Sequence, residues 1–408
     1  MISKNQVRIV VIGGSFGGLA VVRELRRYLK SDQADITLIS SEDRFTFIPS
    51  LVWLSLGLRS LNKISFDLSK PLAHLGVSYL HETVLSIDTQ AKAIITSSRE
   101  LNYDVAVIAT GHRSANEEVD GLGPFGGFSH SLMSVSEAQE LATAIRTFLK
   151  EPGPIIVGAA PGASCIGPAY EIVFGIDHLL RKAKIRNLVP ISYITPEPFL
   201  GHMGFGGAGK IRQFLEGEFE KRDITYLTSQ AITKITEDKV YLSKNNYYAS
   251  ALSVVIPPLA GVEFVNNTPG LSNPKGFIPV NDYFRHKEFE NIYAVGVAVA
   301  LPPVAETVVP VNFPKTGHMT EQMAKIAASD IASRLTSLNP HKFELSAKCV
   351  LDMGDTGAYM SVSPVRPPRN KIPKVSDGRQ WLYAKKAFEQ IYLWHASRGL
   401  RLPTNLGW

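Results

Sequence analysis

Cysteine is the scarcest reactive residue in this 408-residue sequence, which holds only Cys165 and Cys349. Two thiols exclude a disulfide framework and a four-thiolate metal centre. The ten histidines are scattered without a ligand cluster, so no metal site is expected. No run reaches the ~18–20 uninterrupted apolar residues of a spanning helix. No basic, apolar and small-residue leader precedes the first strand, which gives the expectation of a chain that is not exported. Nucleic acid is not an expected partner, since no recognition motif accompanies the basic residues. The remainder is ordinary globular composition, 45% hydrophobic and 20% charged, on a length that suits two or three domains.

The net charge of +6 is unevenly placed. From Ser361 to Trp408 nine Lys/Arg stand against Asp377 and Glu389, so the first 360 residues are close to neutral. The same tail carries Trp381, Tyr383, Phe388, Tyr392, Trp394 and Trp408. At helical spacing Trp381, Ala384, Phe388, Ile391, Tyr392 and His395 share one face, with Lys385, Lys386 and Glu389 off it. That pattern fits two structures: a helix lying in a membrane interface, or a helix packed on the body with a solvated basic face. A Pro-rich run, Pro364 to Pro373, is expected to separate body from tail.

Arg8 to Ile12 reads as an apolar strand that ends in Gly13-Gly14-Ser15-Phe16-Gly17-Gly18, with a helical pattern to about Leu29 and a second strand over Ile36 to Ile39. This order opens a dinucleotide-binding domain, where a tight glycine turn brings backbone and helix N–H groups to a pyrophosphate. Ser15 replaces the middle glycine and offers a hydroxyl instead. Ser40 and Ser41 stand where an acidic residue usually holds a ribose.

Tyr103 to Gly111 and Asn291 to Gly296 read as further strands running into small-residue turns, and Ile155 to Ala163 as a strand with a Gly/Ala-rich turn between them. The expected fold is therefore α/β with two Rossmann-like domains, the second inserted in the first, plus a C-terminal amphipathic helical tail. The expected boundaries are 1–115 with 280–340, then 116–279, then 341–408.

Five motifs follow in order: Leu38 to Ser50, Pro161 to Glu171 (PGASCIGPAYE), Glu197 to His202 (EPFLGH), Phe313 to Gly317 (FPKTG) and Cys349 to Asp355 (CVLDMGD). In these the chain resembles the flavoprotein disulfide reductases with two dinucleotide domains and, among them, the sulfide:quinone oxidoreductase family. The resemblance implies FAD along the first domain, with Gly13, Gly14, Ser15, Phe16, Gly17 and Gly18 at the pyrophosphate. It implies Ser40 and Ser41 at the ribose, Val84 near the adenine, and Thr110, Gly111, Gly296 and Lys315 along the phosphates and flavin. Cys165 and Cys349 would be a redox pair on one flavin face, and a quinone would lie on the other, near Phe388, Val350 and Tyr392. The second nucleotide-like domain is not expected to bind NAD(P)H. Hydrogen sulfide, a quinone and a lipid surface are the implied partners, with the chain peripheral (monotopic) on the cell membrane as a homodimer or homotrimer.

Members of the family often carry a third cysteine where this chain has Met133, so a covalent flavin tether is not expected here. On the residues themselves, Cys165 is expected to start a helix whose dipole favours a thiolate; the alternative is two small buried hydrophobes. Sulfide oxidation through the pair has hydrosulfide attack a disulfide, leaving one persulfide and one thiolate. Glu171 reads either as a proton acceptor or as a structural helix carboxylate, and His202 either as a sulfide-entry group or as plain loop. Lys315 would place positive charge beside the flavin. Glu137 and Glu306 read as surface charge. Type II NADH:quinone oxidoreductase shares the fold but calls for an acidic residue ending a strand of the second domain. The flavoprotein subunit of a flavocytochrome c-type sulfide dehydrogenase shares the two-cysteine pattern. A flavin-free binding protein is the non-enzymatic alternative.

Overall fold

The computed structural model describes residues 6–207, 209–243, 246–369 and 371–401. Trp408 lies outside them. The first sheet is parallel and runs in the order Ile292–Ala294, Val105–Ile108, Val7–Ile12, Ala34–Ser40 and Ser78–His81. Its central strands are buried Val/Ile/Leu runs, as a sheet covered on both faces requires. The chain leaves this sheet after Ile108 and returns at Ile292.

Between those points lies a second parallel sheet, ordered Ile224–Leu227, Ile191–Ile194, Ile155–Ala159 and Leu252–Ile256.

The turn after Val7–Ile12 shows why glycine is needed there. Gly13 has φ +112°, and a Cβ on it would come 2.4 Å from the Ala109 carbonyl oxygen. A Cβ on Gly18 would reach the Gly13 oxygen at 1.8 Å. Helix Phe16–Tyr28 can start this close to the strand only without those side chains.

After helix Gly317–Ser333 the chain forms an antiparallel sheet of Ala347–Asp352, Gly357–Val362 and Lys374–Asp377. The Pro-rich run is therefore a crossover within this sheet and not a linker between body and tail: Lys374–Asp377 pairs back onto Gly357–Val362.

The tail helix, Arg379–Ala396, corrects the expected face. Its buried residues are Lys385, Glu389, Tyr392 and Ala396, so two charged side chains point into the body. Ser50 Oγ donates to Glu389 at 2.6 Å and Arg59 Nε at 3.0 Å. Lys385 pairs with Glu171. Tyr392 donates to Glu321 at 3.1 Å, and Glu321 in turn pairs with Arg23 at 2.5 Å. Trp381, assigned to the apolar face, stacks on Tyr359 at 4.6 Å. Burying a charge is costly unless it is paired and hydrogen-bonded, so the lysine and the glutamate fix where this helix sits.

Glu389→Ala would strand Arg59 and Ser50 at this interface. Because Arg59 keeps a route to solvent, the cost is set at about 2–3 kcal/mol, below the usual penalty for breaking a buried pair. Exposed Lys386→Ala stays within about 0.5 kcal/mol. Urea denaturation of both variants measures the difference; equal midpoints would show that the buried pair does not anchor the helix.

Candidate functional site

Three elements bring the two cysteines to one place. Cys165 ends the loop after strand Ile155–Ala159, two residues before helix Gly167–Lys182. Cys349 lies on strand Ala347–Asp352. Glu171, on that helix, joins both to the tail: its Oε1 accepts the Asp352 N–H at 2.6 Å and the Lys385 ammonium. The strand carrying Cys349 is thus tied by its own backbone to the helix that follows Cys165. Trp53 completes the arrangement, donating to Asp352 Oδ2 at 2.7 Å with the Arg59 guanidinium 4.6 Å and the Lys385 ammonium 5.1 Å from its ring.

Both cysteines are free and partly buried. Burial, then the negative field of Glu171, pushes the Cys165 thiol up to about 11. The same two causes push Cys349 up to about 12, where Lys385 opposes them and Cys165 adds to them. The field of Cys165 is felt at Cys349, in keeping with the Glu171 hydrogen bond that ties the two elements together. Burial and the Glu171 carboxylate reverse the expected thiolate stabilisation at Cys165, which lies ahead of the helix N-cap, Ile166. Glu171 itself is raised by burial, with Lys385 pulling the other way. It is a buried carboxylate at the site, and Lys385, read from sequence as a surface charge, is its partner.

Most of the residues expected at the nucleotide follow or end strands of the first sheet, whereas Val84 begins Val84–Asp88 of a separate three-stranded sheet. Ser15 is exposed and makes no side-chain cap to its helix, whose first residues, Phe16, Gly17 and Gly18, are buried. Ser40 and Val84 are buried, and Ser41 is exposed. Thr110 Oγ1 is buried with no partner among the described residues, beside Gly111, where an added Cβ would meet nothing within 4 Å. An orphaned hydroxyl at the mouth of a glycine cradle fits a phosphate-bearing flavin nucleotide. Gly296 has φ +72°. Lys315 is buried, donates to the Val297 carbonyl at 3.0 Å and lies 3.8 Å from the Phe277 ring centroid; burial lowers it to about 7. Phe16 packs against Phe45, Phe47 and Tyr392.

His112, passed over in the sequence, is lowered to about 4, mainly by burial, within the fields of Glu137 and Lys315. Glu137 is not surface charge. It is buried and accepts from Ser114, Ser131 and the Met133 N–H. Its own N–H donates to Ser134 Oγ at 3.2 Å. The Ser134-Val135-Ser136-Glu137 spacing of a capping box was the available signal.

The expected quinone residues lie together in part. Phe388 and Tyr392 have ring centroids 5.8 Å apart, and Phe47 is 5.7 Å from Phe388. Val350 is buried on the cysteine strand. His202 is buried in its own loop, where Gly204 N–H donates to its Nδ1 at 3.3 Å. No hydrogen bond among the described residues joins it to either cysteine. Glu197 organises that loop: its carboxylate accepts from Tyr170 and Thr195 at 2.8 Å and from Met203 N–H at 2.7 Å. Among the described residues no group of three or more His, Cys, Asp or Glu is arranged to hold a metal, and no helix is long and apolar enough to cross a membrane.

The model of the pyridine nucleotide-disulphide oxidoreductase family matches residues 7–310. A sulfide-quinone reductase of Aquifex aeolicus is 35% identical over 97% of this chain and 92% of its own length. A mitochondrial sulfide:quinone oxidoreductase of Dictyostelium discoideum is 23% identical over 73% of this chain and 67% of its own. The crystal structure of the Aquifex aeolicus sulfide:quinone oxidoreductase superposes with a TM-score of 0.93 at 34% identity, covering 98% of this chain and 93% of that one. With two dinucleotide-type sheets and the Glu171 tie between the two cysteine elements already described, this near-full-length likeness makes the chain a member of the pyridine nucleotide-disulphide oxidoreductases and, within them, of the sulfide-quinone reductase family.

Proposed function

We propose that this chain oxidises sulfide at Cys165 and Cys349 and passes the electrons by way of FAD to a membrane quinone. The observation that carries the reading is that the chain's two cysteines, 184 positions apart, are tied to one buried carboxylate: Glu171 lies on the helix that follows Cys165 and accepts the Asp352 N–H of the strand that carries Cys349. Hydrosulfide attacks a Cys165–Cys349 disulfide, the S–S bond breaks, and one cysteine becomes a persulfide while the other leaves as a thiolate. Removal of two electrons and a proton from the persulfide and the thiolate closes a bridge one sulfur longer, and repetition lengthens the sulfur chain. FAD, when bound, supplies a two-electron acceptor that quinone can reoxidise. Gly13, Gly14, Ser15, Phe16, Gly17 and Gly18 hold its pyrophosphate, Ser40 and Ser41 its ribose, and Val84 its adenine. Thr110, Gly111, Gly296 and Lys315 line the phosphates and ring. With Met133 where a third thiol would stand, the flavin is held without a covalent bond.

Glu171 accepts the proton of the entering sulfide, and Lys385 offsets the negative charge of the released thiolate. His202 stands toward the sulfide side, and Phe388, Val350 and Tyr392 toward the quinone. The NADH-dependent alternative loses its best residue. Glu197, the acid nearest the end of Ile191–Ile194, is fully buried and committed to Tyr170, Thr195 and Met203, which leaves no carboxylate there for a ribose.

Peripheral binding to the cell membrane is assigned to the outer side of the tail helix. Tyr383 and Trp394 are exposed there at 69% and 50%, in line with Lys386 and Gln390. Arg398 lies 4.7 Å from the Trp394 ring.

Cys165→Ser and Cys349→Ser are each expected to reduce sulfide-dependent quinone reduction to background while leaving bound flavin in place; either variant at wild-type rate removes the scheme. Lys385→Met takes away the cation that holds Glu171 down, so the Glu171 pKa rises further. If the ionised carboxylate is the proton acceptor, the acid limb of the kcat/KM profile moves to higher pH, and an unmoved limb assigns the proton elsewhere. Replacing Tyr383 and Trp394 together by Ser is expected to shift the protein from pellet to supernatant when spun with anionic lipid vesicles. Unchanged pelleting would place the membrane contact on another surface.

A further inference from the structure

A cavity of about 430 Å³ lies between the His202 loop and the Pro-rich crossover. Its walls include Phe199, Gly207, Ile211, Arg212, Arg369 and Pro373. Arg369 is the unusual member. Its guanidinium donates to three carbonyls, those of Gly207 at 3.2 Å, Val365 at 3.0 Å and Phe205. Its Nε is buried and has no partner among the described residues. No described carboxylate lies within ion-pair distance of it, although the guanidinium is charged at any working pH. A half-buried cation without a counter-charge is costly, and a bound anion relieves that cost. Across the cavity Arg212 is held by Glu216 at 2.8 Å, 5.5 Å from the Phe199 ring centroid.

The rest of the wall narrows the class of anion. Phe199, Ile211 and Pro373 are apolar, so they favour a weakly hydrated, polarisable anion over an oxyanion that holds its water tightly. The cavity is also tied to the redox centre. Gly204, in the His202 loop, packs so that an added Cβ would fall 2.2 Å from the Asn312 oxygen. Asn312 in turn bonds the turn before Cys165, from Nδ2 to Gly162 O at 2.7 Å and from its N–H to Ala163 O at 3.0 Å. The Arg369 charge reaches His202 in the same loop.

We propose that this cavity is a binding site for a linear polysulfide dianion, the product of the cysteine pair, held by Arg369 and Arg212 against Phe199 as it leaves. The site binds only; no bond is made or broken there. The proposal rests on the sulfide-oxidising reading for the origin of its ligand.

The test is anaerobic calorimetric titration of flavin-loaded Cys165→Ser/Cys349→Ser protein with sodium tetrasulfide. No thiol exchange can occur in that background, and unchanged flavin absorbance through the titration shows that the heat reports binding alone. Adding Arg369→Gln is expected to weaken binding about tenfold or more, with about 1.4 kcal/mol corresponding to each factor of ten. Arg212→Gln, an exposed substitution that leaves the fold alone, is expected to weaken it in the same direction, and sulfate at matched ionic strength should not compete. In cysteine-intact enzyme, Arg369→Gln should slow steady-state turnover while the first sulfide-driven bleaching of the flavin keeps its rate, since release and not chemistry is affected. Tetrasulfide binding unchanged by both arginine substitutions overturns the proposal, as does displacement by sulfate at equal concentration. Wild-type protein without sulfide-dependent quinone reduction would refute the proposed function, whereas the titration reads the cavity separately.

Discussion

One oxygen atom, Glu171 Oε1, holds the reactive half of this molecule together. It accepts the Asp352 N–H from the strand that carries Cys349 and the Lys385 ammonium from the tail helix, while its own helix follows Cys165. Cys165 and Cys349 are too far apart in sequence to be aligned by any local rule. A buried carboxylate that must find donors does the aligning, because an unpaired charge at that depth would cost more than ordering the groups around it. The parallel sheets bring the helix to the site, and the antiparallel sheet brings the second cysteine.

The tail helix is governed by the same constraint. A helix whose exposed aromatics are Tyr383 and Trp394 and whose buried residues include Lys385 and Glu389 is not the simple amphipathic helix that composition suggests. Its polar groups are anchors: Lys385 to Glu171, Glu389 to Ser50 and Arg59, Tyr392 to Glu321 and through it to Arg23. Those anchors dock the helix on both the cysteine region and the first sheet's own helix. The helix is therefore part of the body, with Tyr383 and Trp394 on its exposed side.

What the sequence made legible follows from this. The glycine turn from Gly13 to Gly18 was readable because its cause is local: a Cβ at Gly13 or Gly18 collides with backbone a few residues away or on the next strand. The inserted second sheet was readable because buried parallel strands announce themselves as apolar runs. Lys385 and Glu389 were not readable, because helical periodicity tells which residues share a face but not which face is covered. A charge on the covered face needs its partner, and Glu171, Ser50 and Arg59 stand hundreds of positions away. The Cys165 environment failed for the same reason: dipole reasoning is local, whereas desolvation and the Glu171 field are set by the assembled fold. Glu137 differs, since the Ser134 to Glu137 spacing marks a helix start and assigns the glutamate a structural place there, where Ser134 Oγ accepts its N–H.

The raised thiols place a condition on the chemistry. A thiol held near 11 or 12 is a poor leaving group as a thiolate, and a disulfide whose departing sulfur is so disfavoured resists attack by hydrosulfide. Under the proposed scheme the site must therefore offset the charge released when the S–S bond opens. Two groups within reach of that charge act in opposite senses: Glu171 opposes it, and Lys385 favours it at Cys349. If Glu171 takes the proton of the entering sulfide, its own repulsion disappears at the moment the cysteine charge appears, and the Lys385 ammonium, no longer neutralised by a carboxylate, is left facing the new thiolate. Proton uptake and sulfur attack are then coupled through a single ion pair, which gives a physical reason for burying a lysine and a glutamate beside two cysteines instead of leaving the thiols in an apolar pocket.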